Sequence, residues 1–151
     1  SCRYPPQGIR GYGPRRASSY GFDADEYYRL ANESLLCIAI IESYEAVDNI
    51  DDILSVEGID GVTIGPMDLS ISLGIFRQLT HTKYLSAVER VRTACAKHRK
   101  AMGSACQSVE HARQCVEEGY QLLLVYGDDQ FIASEAARWL GAIKEKGRLS
   151  A

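Results

Sequence analysis

Leu35-Leu36-Cys37-Ile38-Ala39-Ile40-Ile41-Glu42 and, further along, Gly61-Val62-Thr63-Ile64-Gly65-Pro66-Met67-Asp68 are built alike. Each is an apolar run with an acidic side chain at or just past its end. The first is apolar at every position from 35 to 41, which suits a strand covered on both faces better than one with a wet side. The second is shorter and is stopped by Gly65-Pro66. Between them, Ala46, Val47, Ile50, Ile53 and Leu54 follow a helical stripe across Tyr44–Val56, and Gly58 ends it. Strand, helix and strand in this order make a βα unit with a parallel neighbour.

The alternation continues down the chain. Met67 to about Thr82 is expected to be loop. Tyr84, Leu85, Val88, Val91 and Cys95 mark a helix running to Lys100, and Ala101–Ala105 is a weak third strand. Ser108 is a fitting N-cap for a helix carrying Val109, Ala112, Arg113 and Val116 as far as Gly119. Gln121–Val125 reads as the fourth strand. Ile132, Ala133, Ala136, Ala137, Leu140 and Ile143 give the last helix, closed by Gly147. Upstream, Asp23 to Ser34 reads as a short helix with Asp23 or Asp25 as its cap. The expected organisation is one α/β domain over 1–151. Residues 1–34 form a Gly/Pro/Arg-rich loop and short helix, and 35–147 form four βα units with parallel strands. Functional loops are expected at the carboxyl ends of those strands.

Composition bounds the function classes. The chain has 151 residues, one domain's worth, whereas a complete (β/α)8 barrel typically needs about 250. Apolar residues are 46% and charged residues 25%, near globular averages, which argues against extensive disorder. The net charge of −3 argues against general nucleic-acid binding, which leaves a basic footprint. The longest aliphatic run, Leu35 to Ile41, falls far short of the roughly 20 residues that span a bilayer. No charged-then-apolar leader is seen, so a cytoplasmic protein with no membrane partner is expected.

Five cysteines, Cys2, Cys37, Cys95, Cys106 and Cys115, contain no CxxC pair. They read as small buried hydrophobes in a reducing compartment, with Cys2 the exposed exception. Arg3, Arg10, Arg15 and Arg16 all precede the first acidic residue, Asp23, so the opening is either an anion-binding loop or a solvated one. His98 and His111 fall in helices and His81 in a loop, and each reads as a surface histidine.

Glu42 and Asp68 are the candidate chemistry. Each follows a strand, and neighbouring strands about 4.8 Å apart would bring both carboxylates to one face. Two protein oxygens with several waters suit Mg²⁺ or Mn²⁺, leaving positions for a chelating substrate. The alternative is structural: Glu42 as a favourable charge at a helix start, and Asp68 as a cap.

The longer motifs resemble a known family. Tyr4-Pro5-Pro6-x-Gly8-x-Arg10-Gly11, Gly13-Pro14, Arg16-Ala17 and Tyr20-Gly21 are similar to the stretch before the metal-bearing strand of the HpcH/HpaI aldolases. Ile41-Glu42-Ser43-x-Glu45-Ala46 resembles that family's first metal motif. Val56-Glu57-Gly58-Ile59-Asp60-Gly61-Val62-x-Ile64-Gly65-Pro66-x-Asp68-Leu69-Ser70 resembles its second. The likeness continues through Gly119 and Val125-x-Gly127-Asp128.

The resemblance implies the C-terminal half of a TIM (β/α)8 barrel. It implies a divalent-metal-dependent carbon–carbon lyase of the class II pyruvate aldolase type, acting on a 2-oxo acid through a metal-bound enolate. Glu42 and Asp68 would be the metal ligands, for Mg²⁺ or Mn²⁺ with Co²⁺ possible. The loop Gly65, Pro66, Met67 and Asp68 would bind substrate, the N–H groups of Met67 and Asp68 holding the carboxylate of a pyruvate- or oxaloacetate-type acid. The family's acid/base histidine and its enolate-binding arginine lie in the half not matched here. Ile40 stands where many relatives have a glutamine. Half a barrel leaves two sheet edges and an apolar inner face open. A partial chain, a homo-oligomer or a complementing half-barrel is therefore expected. The alternative function is a non-catalytic half-barrel module that binds metal or a partner.

Overall fold

The computed structural model describes residues 2–106, 108–125 and 127–148, with side chains to residue 144. Four strands, β1 (Ile38–Ile41), β2 (Gly61–Ile64), β3 (Ala101–Ala105) and β4 (Leu122–Leu124), form one parallel sheet in sequence order. Ile41 lies opposite Ile64, Ile64 opposite Ser104, and Ala105 opposite Leu124. The strand ends are therefore level, and the loops that follow β1 and β2 leave the sheet side by side.

Among the described residues, seven α-helices accompany the strands: α1 (Ala24–Ser34), α2 (Tyr44–Asp48), α3 (Ile50–Ser55), α4 (Pro66–Ser72), α5 (Thr82–His98), α6 (Val109–Glu117) and α7 (Asp128–Arg148). Alternation along the strands sends Ile41, Val62, Ile64 and Met102 to the helix-covered face. There they join Val47, Ile50 and Leu54 from α2 and α3, and Tyr84, Val91 and Cys95 from α5, in one buried cluster. Fully burying an aliphatic side chain of this size is worth about 1.5–3 kcal/mol. The joint between sheet, α3 and α5 is therefore the main source of stability.

Several local readings are corrected by geometry. The single helix expected over Tyr44–Val56 is broken into α2 and α3 at Asn49. Both its backbone N–H (3.0 Å) and its side-chain amide (2.9 Å) donate to the Glu45 carbonyl. The loop expected from Met67 begins instead with α4, because Pro66 occupies the first helical position, where its missing N–H is no loss. β1 is shorter than the apolar run. At Cys37 the backbone N–H goes to the Asp60 carboxylate (2.7 Å) and the carbonyl accepts from Asp60 N–H (2.9 Å). Gly147 lies inside α7 rather than closing it. Ser108 caps α6 as expected, its hydroxyl accepting from His111 N–H at 3.1 Å.

The open side of the sheet is visible in the burial pattern. Ile40 on the inner face is 57% exposed, and β4, an edge strand, is only half covered. Every residue from 128 to 144 along α7 is exposed, its Phe131, Ile132, Leu140 and Ile143 included. Among the described residues, no helix is long and apolar enough to cross a membrane.

Candidate functional site

Glu42 is the first residue past β1. Ile41 before it is buried on the helix side, so Glu42 and Ile40 fall on the opposite, inner face. Ser43 then caps α2, its hydroxyl accepting from Ala46 N–H at 3.2 Å, so Glu42 is held between a strand end and a capped helix. Gly65 N–H donates to the Ile41 carbonyl (3.1 Å) and carries the β1–β2 pairing one step past the strands. At this step the two chains are very close. A β-carbon on Gly65 would lie 3.0 Å from Glu42 Cβ, and 3.2 Å from both Glu42 Oε2 and Ile40 Cγ2. The glycine is what lets the Glu42 carboxylate lie over the exit of β2.

Asp68 sits in the first turn of α4, which Leu69 N–H closes by donating to the Gly65 carbonyl at 2.9 Å. Pro66, Leu69 and Ser70 are buried, whereas Met67 is half-buried and Asp68 exposed. The helix is thus anchored by one side and presents the other. Ser70, fully buried, donates from its hydroxyl to the Met67 carbonyl (2.7 Å) and accepts from Arg77 N–H (3.0 Å). At the far end of α4, Ser72 Oγ accepts from Tyr44 N–H at 2.9 Å. The segment carrying Glu42 and the helix carrying Asp68 are therefore tied at both ends.

The donor set fits a hard divalent cation. Glu42 and Asp68 offer only carboxylate oxygens and stay exposed, so waters can complete the coordination. Among the described residues, no group of three or more His, Cys, Asp or Glu side chains could hold a metal ion. Thr63, beside Ile40 in register, carries a buried hydroxyl with no hydrogen-bond partner among the described residues. Leaving such a group unpaired costs about 1–3 kcal/mol, and by strand alternation it lies on the face that bears Glu42. Nothing in the sequence singles out Thr63. Ser70 stands within the quoted motif, but its role in pinning Arg77 is legible only in three dimensions.

The other candidates fall elsewhere. His81 caps α5, its Nδ1 accepting from Lys83 N–H at 3.1 Å. His98, half-buried rather than fully solvated, lies 2.8 Å from Asp51 and joins α5 to α3. The Arg10 guanidinium stacks 4.9 Å from the ring centre of the buried Tyr4, while Arg3, Arg15 and Arg16 are exposed. Cys95, Cys106 and Cys115 are buried as expected. Burial raises the thiols of Cys95 and Cys115 to about 11.

Comparison with known proteins agrees with this frame. The chain is 41% identical over 142 residues to a hydroxypyruvate/pyruvate aldolase of Rhizorhabdus wittichii, covering 91% of this chain and 55% of that protein. It is 35% identical over 129 residues to a 5-keto-4-deoxy-D-glucarate aldolase of Escherichia coli, covering 85% of this chain and 50% of that protein. The crystal structure of an HpcH/HpaI aldolase from Desulfitobacterium hafniense superposes with a TM-score of 0.79 at 34% identity, over 95% of this chain and 56% of that one. The chain spans about half the length of the curated relatives it matches. Its four parallel βα units are half of the (β/α)8 barrel that such proteins share. The model of the HpcH/HpaI aldolase/citrate lyase family matches residues 1–133, so the chain belongs to that family.

Proposed function

We propose that this chain carries the metal- and 2-oxo-acid-binding half of a class II, divalent-metal-dependent carbon–carbon lyase. Glu42 and Asp68 each give a carboxylate oxygen to Mg²⁺ or Mn²⁺, with Co²⁺ also compatible with oxygen ligands. When bound, the cation supplies Lewis-acid stabilisation of the charge that develops on the substrate's 2-oxo oxygen. The N–H groups of Met67 and Asp68 belong to the first turn of α4, where no helix carbonyl can accept them. They hold the carboxylate of the 2-oxo acid. Gly65 and Pro66 shape the loop so that these groups and the Glu42 carboxylate share one mouth.

The observation that carries this reading is the close approach of Gly65 to Glu42, with Asp68 one helical turn beyond. Both relatives are aldolases by name, which supports a pyruvate- or oxaloacetate-type substrate for this chain. The exposed inner face at Ile40 and the two uncovered sheet edges support assembly with a complementing half-barrel or further copies.

The test is Mn²⁺-dependent decarboxylation of oxaloacetate by the purified chain. The expected result is a rate above that of free Mn²⁺ which disappears on chelation and in Asp68→Asn. A rate equal to free Mn²⁺ would overturn the catalytic reading for this chain and leave a non-catalytic half-barrel module in its place.

A further inference from the structure

Cys2 and Cys37 are 35 positions apart in sequence, yet their sulfurs are 3.9 Å apart in the fold. Both backbones are pinned where they meet. On one side, Arg10 N–H donates to the Arg3 carbonyl at 2.9 Å. Asn32 of α1 brackets Tyr4, accepting its N–H on Oδ1 (2.7 Å) and donating from Nδ2 to its carbonyl (3.1 Å). The Tyr4 ring, 2% exposed, is packed against Tyr12, Tyr27 and Tyr28. On the other side, Cys37 is held by its two main-chain bonds to Asp60, at 2.7 and 2.9 Å. The sulfurs therefore meet between anchored segments, not at the end of a free tail. A disulfide needs the sulfurs about 2.05 Å apart, so the 3.9 Å contact has to close by roughly 2 Å.

We propose that Cys2 and Cys37 form a reversible disulfide that staples the N-terminal segment to the entry of β1. Exposed Cys2 is the entry point, and half-buried Cys37 resolves. The oxidant is a low-molecular-weight disulfide of the glutathione class. The Cys2 thiolate attacks it, forming a mixed disulfide and releasing one glutathione thiolate. The Cys37 thiolate then attacks Cys2 Sγ, forming the protein disulfide and releasing the second. Two protein thiols are oxidised, one glutathione disulfide is reduced, and the two protons lost by the cysteines go to the released thiolates. The staple lies at the opposite end of β1 from Glu42. Cys95, Cys106 and Cys115 are buried and closed to a disulfide in solution, so they take no part.

The test is to equilibrate the chain in mixed oxidised and reduced glutathione, trap free thiols by alkylation, and map the digest by mass spectrometry. The expected product carries an intrachain link, a peptide joining Cys2 to Cys37 of one chain, and its melting temperature is raised and falls back on reduction. Cys37→Ser should stop at a glutathione adduct on Cys2. In urea the same link should form about tenfold more slowly, since the anchored contact is gone. A glutathione adduct that persists on Cys2 in the unmutated chain, a Cys2–Cys2 link between two chains, or equal rates in urea would each overturn the proposal.

Discussion

Gly65 and Glu42 face each other so closely that a β-carbon on Gly65 would stand 3.0 Å from Glu42 Cβ and 3.2 Å from its Oε2. One residue type at one position thereby lets a carboxylate from the end of β1 lie across the exit of β2. The next residue starts the helix that carries Asp68. The close approach depends on sheet register, with Ile41 opposite Ile64, and so ties the candidate site directly to the strand pairing.

Gly65→Ala should therefore harm both stability and metal binding. The added methyl meets the body of Glu42 and the Ile40 side chain, and overpacking of this kind typically costs about 1–3 kcal/mol. Urea unfolding should show a lowered midpoint with an unchanged slope, and Mn²⁺ affinity should fall with it. An alanine variant as stable as the parent would mean that the β1 and β2 ends have room to separate.

Ser70→Ala should loosen the loop that follows α4. The hydroxyl donates to the Met67 carbonyl and accepts Arg77 N–H in a fully buried position. Its removal leaves the Arg77 N–H without that acceptor, at a cost of about 1–3 kcal/mol. Hydrogen exchange at the Arg77 amide is the specific readout. It should accelerate more than exchange in α5, which keeps its own core contacts.

Asp51→Asn tests the clamp between α3 and α5. Hydrogen bonds from Lys97 first, and then His98, hold the Asp51 carboxyl below its ordinary value of 3.8. A folded-state value below the unfolded one stabilises the fold above the unfolded value, and that stabilisation is lost as pH falls through the folded value. The melting temperature of Asp51→Asn should lie below that of the parent at pH 7, and the gap should close well below pH 3.8. The pair is half exposed, so added salt should narrow the gap as well. A gap that widens in acid would contradict the assignment.

Much of this fold is written in local pattern. β2 and β3 fall on Gly61–Ile64 and Ala101–Ala105, as their apolar runs and flanking breakers require. Ser108 caps its helix where a β-region serine before an apolar stripe should. What local pattern misses is decided by contacts across the chain or by one side chain's competition. At the break, the Asn49 side-chain amide shares the Glu45 carbonyl with its own backbone N–H. The late start of the β1 ladder comes from Asp60 holding Cys37. α4 was hidden because Gly65-Pro66 reads equally as a stop and as a helix start. At the site, Glu42 and Asp68 were legible as carboxylates placed after strands. The close seat of Gly65, the Tyr44–Ser72 tie and the buried hydroxyl of Thr63 depend on register between strands, which no single segment encodes.

Joint action of Glu42 and Asp68 on one divalent cation is the core of the proposed function. Its most direct test is titration of the purified chain with Mn²⁺, followed by the loss of the free-ion paramagnetic resonance signal, beside Asp68→Asn and Glu42→Gln. Saturable binding at one site is expected, weakened at least about tenfold by either substitution, with circular dichroism unchanged. Equal affinity in the parent and both variants would contradict it.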